Sequence, residues 1–175
     1  MSQKKPLIFV IDTSAIFSRI QFAAEDIQLV TTPLLEEEMQ QKGLKATVDM
    51  LINAQKLRIL EPTPTSLRKV RDVANQLGDL DNLSDPDLDL LALALDLTTQ
   101  NDNPVLVTDD YSIQNVAQSL SLKFRGTNRP GIREVIQWET YCSACGHRAP
   151  DLSKDEPCPV CGTSLKRRAI KKEPI

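Results

Sequence analysis

The chain has 175 residues, 41% hydrophobic and 26% charged, with a formal net charge of −3. That length allows one ordinary domain plus a small one, or one mid-sized domain, and the composition is globular, not disordered. A single histidine excludes any mechanism that needs two imidazoles, and the acidic balance taken alone argues against a nucleic-acid partner.

In chain order, residues 7–11 (LIFVI) read as a buried strand, and a helix is expected from about Ser14. Ile27 to Val30 reads as a second strand. Thr32 and Pro33 then open a helix as N-cap and first helical residue. Gly43 should interrupt it, with a further helix from about Leu44 to Ala54. Leu57 to Leu60 is a third strand, closed by Glu61-Pro62-Thr63-Pro64, and a helix follows to about Leu77. Ser84 starts a Leu- and Ala-rich helix to about Leu97. Val105 to Val107 is a strand, Ser112 to Leu120 a helix, and Leu122 to Phe124 a short last strand. Strands alternating with helices predict an α/β fold with a mainly parallel central sheet flanked by helices. Past the turn-rich GTNRPG at 126–131 the texture changes to cysteine, glycine and proline. The expected organisation is a domain over 1–127, a linker over 128–138, a small metal-binding module over 139–165 and a basic tail over 166–175. No signal-peptide core or membrane span is legible, since Asp12 and Asp96 end the apolar runs, and the cytoplasm is the expected compartment.

Five carboxylates stand out. In parallel sheets, ligands bind outside the carboxyl ends of the strands. Asp12 follows the first strand, and Asp109 and Asp110 follow VLVT. If both strands are central, these acids meet at one edge; helix N-capping is the competing reading of each. Leu34, Leu35 and Met39 define an apolar arc on the Pro33 helix, and Glu38 falls inside it while Glu36 and Glu37 do not. On the Ser84 helix, Asp87 lies among Leu88, Leu91, Ala94 and Leu95, whereas Asp89 and Asp96 fall on the opposite, polar face. Ser84-x-x-Asp87 also resembles a capping box, and the two roles are compatible. Acids gathered without histidine suit a hard cation such as magnesium or manganese, which could activate a water against a phosphodiester. No GxGxxG or GxxxxGK[ST] is present, so dinucleotide and P-loop sites are not expected.

Cys142-x2-Cys145 and Cys158-x2-Cys161, each followed by glycine, have the spacing of a structural zinc ribbon with four thiolate ligands. Disulfides or a redox pair are the competing readings, and His147 is expected to pack beside the site. Lys166, Arg167, Arg168, Lys171 and Lys172 then place five positive charges in seven residues, suited to a phosphate backbone or to a solubilising tail. The net charge is thus a sum of unlike parts. Residues 1–137 hold 14 basic and 19 acidic side chains (−5), and residues 138–175 hold 7 and 5 (+2).

VIDTS, the Glu38 helix, LSDPDLDLLALAL and LVTDDYSIQNVA resemble the four acidic motifs of the PIN-domain ribonucleases. Joined to a C-terminal CxxC…CxxC ribbon, they resemble the Nob-type endonucleases of small-ribosomal-subunit maturation, over about residues 6–165. The resemblance implies a PIN-like fold and a metal-dependent endoribonuclease using manganese or magnesium. Its substrate would be precursor rRNA, cut to the mature 3′ end of small-subunit rRNA, and its partners the small-subunit precursor and its assembly factors. Asp12, Glu38 and Asp87 map onto the first three acids, with Glu37 the alternative if the helix shifts by one residue. The fourth is Asp110 or Asp109. Asp12, Asp87 and Asp110 would hold the catalytic metal, and the ribbon one structural zinc. A non-catalytic RNA-binding assembly factor, and a PIN ribonuclease with another RNA substrate, are the alternatives.

Overall fold

The structure, a computed structural model, describes residues 6–17, 26–100, 102–150 and 152–175. β1 (Leu7–Ile11), β2 (Ile27–Thr31), β3 (Leu57–Ile59), β4 (Val105–Val107) and β5 (Lys123–Arg125) form one sheet in the order β3-β2-β1-β4-β5. Every pairing is parallel, as the strand–helix alternation predicts. The chain winds outward from β1 to β3, then returns to pair β4 on the other side of β1. This reversal opens a crevice at the carboxyl ends of β1 and β4. The register Ile11↔Val107 sets Asp12 and Thr108 side by side at its floor.

The helices are α1 (Thr13–Phe17), α2 (Pro33–Met39), α3 (Lys45–Asn53), α4 (Pro64–Leu77), α5 (Asp85–Thr99) and α6 (Tyr111–Ser119). Residues 18–25, which follow α1, lie outside the described residues. Thr32 caps α2 by accepting from the Leu35 N–H at 3.4 Å, with Pro33 in the first turn. Gly43, at φ +80°, breaks the wide turn Gln40–Leu44 between α2 and α3, a backbone state that glycine adopts without a Cβ clash. The main core joins Phe9, Val10 and Ile11 of β1 to Leu35 and Met39 of α2 and to almost the whole of α5.

Two expectations about helix faces are corrected. Leu34 is 40% exposed, so the buried stripe of α2 is Leu35 and Met39, one turn apart, with Glu38 half-buried at its rim. Asp96 is 8% exposed and not on a solvent face. It accepts the Thr63 N–H at 2.6 Å, the Thr63 hydroxyl at 2.8 Å and the Ser66 hydroxyl at 2.6 Å. α4 packs along that side of α5, and its first turn supplies the donors that a buried carboxylate requires.

The C-terminal segments also differ from the linker and tail expected of them. β6 (Glu134–Tyr141) and β7 (Lys166–Pro174) pair antiparallel, with a register shift at Gln137/Trp138. The cysteine module closes the end of this hairpin. A small second core of Cys142, Ala149, Cys158 and Leu165 sits there, with Leu152 against it. The hairpin docks on α4 and α6. The Asn115 amide imitates a neighbouring strand, donating to the Ile136 carbonyl at 2.7 Å and accepting the Ile136 N–H at 2.8 Å. Arg167 donates to buried Asp79 at 2.8 Å and to the Gly78 carbonyl at 2.6 Å, and stacks over Trp138 at 4.6 Å.

Candidate active site and cysteine cluster

Asp12, half-buried at the end of β1, accepts a hydrogen bond from the Thr108 hydroxyl at 2.7 Å. It also accepts the Ser14 N–H at 2.8 Å and the Ser14 hydroxyl at 3.0 Å, an Asx turn that starts α1. The same Thr108 hydroxyl accepts the Asp110 N–H at 3.1 Å. Fully buried Thr108 therefore ties the first and last acids of the site together. Sequence reasoning singled out the acids and missed this threonine, although the Thr-x-Asp spacing carries the signal.

Asp110 is exposed and caps α6, accepting from the Ser112 N–H at 2.7 Å and the Ile113 N–H at 3.3 Å. Asp109 is engaged elsewhere. Its carboxylate accepts the Thr127 N–H at 2.7 Å, the Thr127 hydroxyl, the Asn128 N–H at 3.1 Å and the Arg129 N–H at 3.3 Å. Burial opposes its ionisation, but the Thr127 hydroxyl and these backbone donors outweigh it and hold the carboxyl down to about 2. The two neighbours thus part company: Asp109 organises the 126–129 turn and Asp110 stands at the crevice.

Asp87 completes the capping box at the start of α5. Its side chain accepts the Ser84 N–H at 2.8 Å and the Ser84 hydroxyl at 2.7 Å. Burial pushes its carboxyl above the ordinary value, the Ser84 hydrogen bonds pull it back, and the charges of Asp110 and Asp12 push it up again. Both aspartates therefore lie near enough to Asp87 for their charges to act on its carboxyl. Glu38 joins from α2, accepting the Thr13 hydroxyl at 3.4 Å and pairing with Lys42 one turn on. Glu37 is exposed, with Gln41 donating to it at 3.4 Å.

The acids are looser than the thiols. Among the described residues, the four cysteines are the group whose ligand atoms all lie within 4.8 Å of one another. The cysteines suit zinc. The Sγ–Sγ separations are 3.4 Å for Cys142–Cys161 and 3.7 Å for Cys145–Cys158, and all four are free thiols. A tetrahedron with Zn–S bonds near 2.3 Å has edges of about 3.8 Å. Gly146 and Gly162, at φ +76° and +75°, let each knuckle fold back, donating their N–H groups to the Cys142 and Cys158 carbonyls.

The five basic residues of β7 divide. Arg167 is only 18% exposed and is spent on the docking contact. Arg168 pairs with Glu139 at 2.8 Å and stacks over Tyr141 at 4.4 Å. Lys166, Lys171 and Lys172 are exposed, the last two in surface pairs with Glu173 and Glu134.

A family model, the PIN domain of ribonuclease, matches residues 9–97. An Endoribonuclease Nob1 of Pyrococcus abyssi is 36% identical over 141 residues, 81% of this chain and 84% of the relative. An Endoribonuclease Nob1 of Archaeoglobus fulgidus is 37% identical over 166 residues, 95% of this chain and 93% of the relative. A Ribonuclease VapC1 of Thermoplasma acidophilum is 37% identical over 168 residues, 95% and 81%.

Proposed function

Because the chain belongs to the PIN-domain ribonucleases and is an endoribonuclease of that family, we propose that it cuts precursor rRNA to form the 3′ end of small-subunit rRNA, using a divalent cation held by Asp12, Asp87 and Asp110. The observation that supports the chemistry is the Thr108 hydroxyl shared by Asp12 and Asp110 at the carboxyl ends of β1 and β4, with the charges of both acting on Asp87. The substrate rests on the resemblance to Nob-type endonucleases, which relatives so named support over 81% and 95% of the chain. The partners follow from it: the small-subunit precursor and its assembly factors, met in the cytoplasm.

Manganese or magnesium, when bound, lowers the pKa of a coordinated water and neutralises charge on the phosphate under attack. The chain's own residues prepare the site. Thr108 and Ser14 fix the Asp12 carboxylate so that its oxygens need no reorganisation on binding the cation. Ser84 holds Asp87, and α6 holds Asp110 by two backbone donors. Glu38, tethered by Thr13 and Lys42, stands at the rim to orient water. Without the cation the acids would repel an RNA backbone; with it they become its anchor. One zinc on Cys142, Cys145, Cys158 and Cys161 would close the hairpin. Exposed Lys166 would meet a phosphate, and Lys171 and Lys172, whose surface pairs are weak, would exchange those partners for phosphates.

The test is manganese-dependent cleavage of an RNA spanning the small-subunit 3′ end. Asp12→Asn should abolish cleavage while leaving the melting temperature within a few degrees. Equal cleavage by variant and wild type would refute the assignment.

A further inference from the structure

We propose that Tyr111 and the cleft between α6 and the β6–β7 hairpin form a subsite for one unstacked RNA base beside the bond that is cut; this rests on the nuclease reading above. Tyr111 is the first residue of α6 and follows Asp110 directly. It is 49% exposed, and it is the one aromatic among the exposed large apolar side chains of the described residues. Burial does not account for an aromatic ring in that place. The ring borders a cleft of about 180 Å³, closed on the other side by Ile132, Ile136 and Arg167. That is room for about six waters, or for one flat heterocycle in their place.

The lining matches a base in two respects. Tyr111 offers an aromatic face, on which any base stacks. Ile132 and Ile136 give an apolar wall, and Ser112 also lines the cleft. Arg167 is held in place behind the cleft, its terminal nitrogen on Asp79 and Gly78 and its guanidinium over Trp138. The position selects RNA over a peptide: the cleft begins one residue from Asp110, so a strand whose phosphate lies at the acids carries a neighbouring base past Tyr111. The cleft lies between α6 on one side and the β6–β7 hairpin with the segment before it on the other, so the docked hairpin becomes part of substrate recognition near the scissile bond.

The experiment uses the full chain with Asp12→Asn, so that RNA stays intact. A single 2-aminopurine is moved along a mixed-sequence 12-nucleotide single strand. Quenching should be strongest at one position, adjacent to the bond that the wild-type protein cuts with manganese. Tyr111→Phe should keep the quench, whereas Tyr111→Ala should remove it and weaken binding about tenfold. An abasic nucleotide at that position should cost wild-type binding a similar factor and bring wild type and Tyr111→Ala together. The proposal is overturned if Tyr111→Ala keeps the quench, or if it loses the same factor on the abasic strand. Failure of the wild type to cleave any RNA would strike the nuclease reading alone, because quenching is read on uncut RNA.

Discussion

Asp109 and Asp110 show how far one position changes the work of a carboxylate. Successive residues leaving a strand point to opposite sides, so one of the pair meets the 127–129 backbone and the other meets the crevice. Their adjacency left both open in the sequence, because the donors that occupy Asp109 lie 18–20 residues further on. The consequence for pH has a definite sign. Asp109 ionises at about 2 in the folded chain and near 4 when unfolded. Its stabilising effect is therefore complete above about pH 4 and is lost as the pH falls through about 2. Melting temperatures taken between pH 2 and 6 should show wild type and Asp109→Asn separated by a constant gap above pH 5 that narrows toward pH 2. A gap that does not vary with pH would mean the turn is held by something else. Arg167 carries the same lesson from the basic side. Read in sequence it is one of five equal cations, but only the fold reveals that it faces Asp79 and Trp138.

At the scale of elements, strand and helix positions were legible because each carries its own period and its own punctuation. Thr32-Pro33, Thr63-Pro64, Ser84 and Gly43 mark boundaries that the structure repeats within a residue or two. What periodicity could not supply was a partner. α5 is buried nearly all round, so a helical wheel finds a polar face where the fold has placed α4. Asp96 sits there as the carboxylate that caps the start of α4 from outside. Asp96→Ala strands these donors and should cost about 3 kcal/mol, read from the urea midpoint, with cleavage per folded molecule unchanged. A shift below about 0.5 kcal/mol would show that water replaces the carboxylate freely. β7 was hidden for a related reason. Its partner β6 lies across the whole cysteine module, and a lysine-rich stretch looks like a tail until the opposing strand is known.

For the molecule as a whole, the charge of −3 is a division and not an average: −5 before Trp138 and +2 from there on, from the counts of 14 against 19 and 7 against 5. If the hairpin holds RNA, substituting Lys166, Lys171 and Lys172 together by alanine should flatten the salt dependence of binding by about 0.7 for each phosphate no longer neutralised. An unchanged slope would move the RNA to another face. If the ribbon holds zinc, the native protein should carry one equivalent by mass spectrometry. A chelator should disorder residues 142–165 while the α/β domain keeps its cooperative melt, and a single shared transition would show the two to be one folding unit. The hairpin also sets a timetable. β6 leaves the ribosome before β7, with 24 residues between Tyr141 and Lys166, so at about 5–20 residues per second it waits roughly one to five seconds for its partner. By then β1 through β5 have all been made. A growing chain therefore passes through an interval in which the five-stranded sheet is complete and the hairpin is not, and the arrival of β7 marks its close.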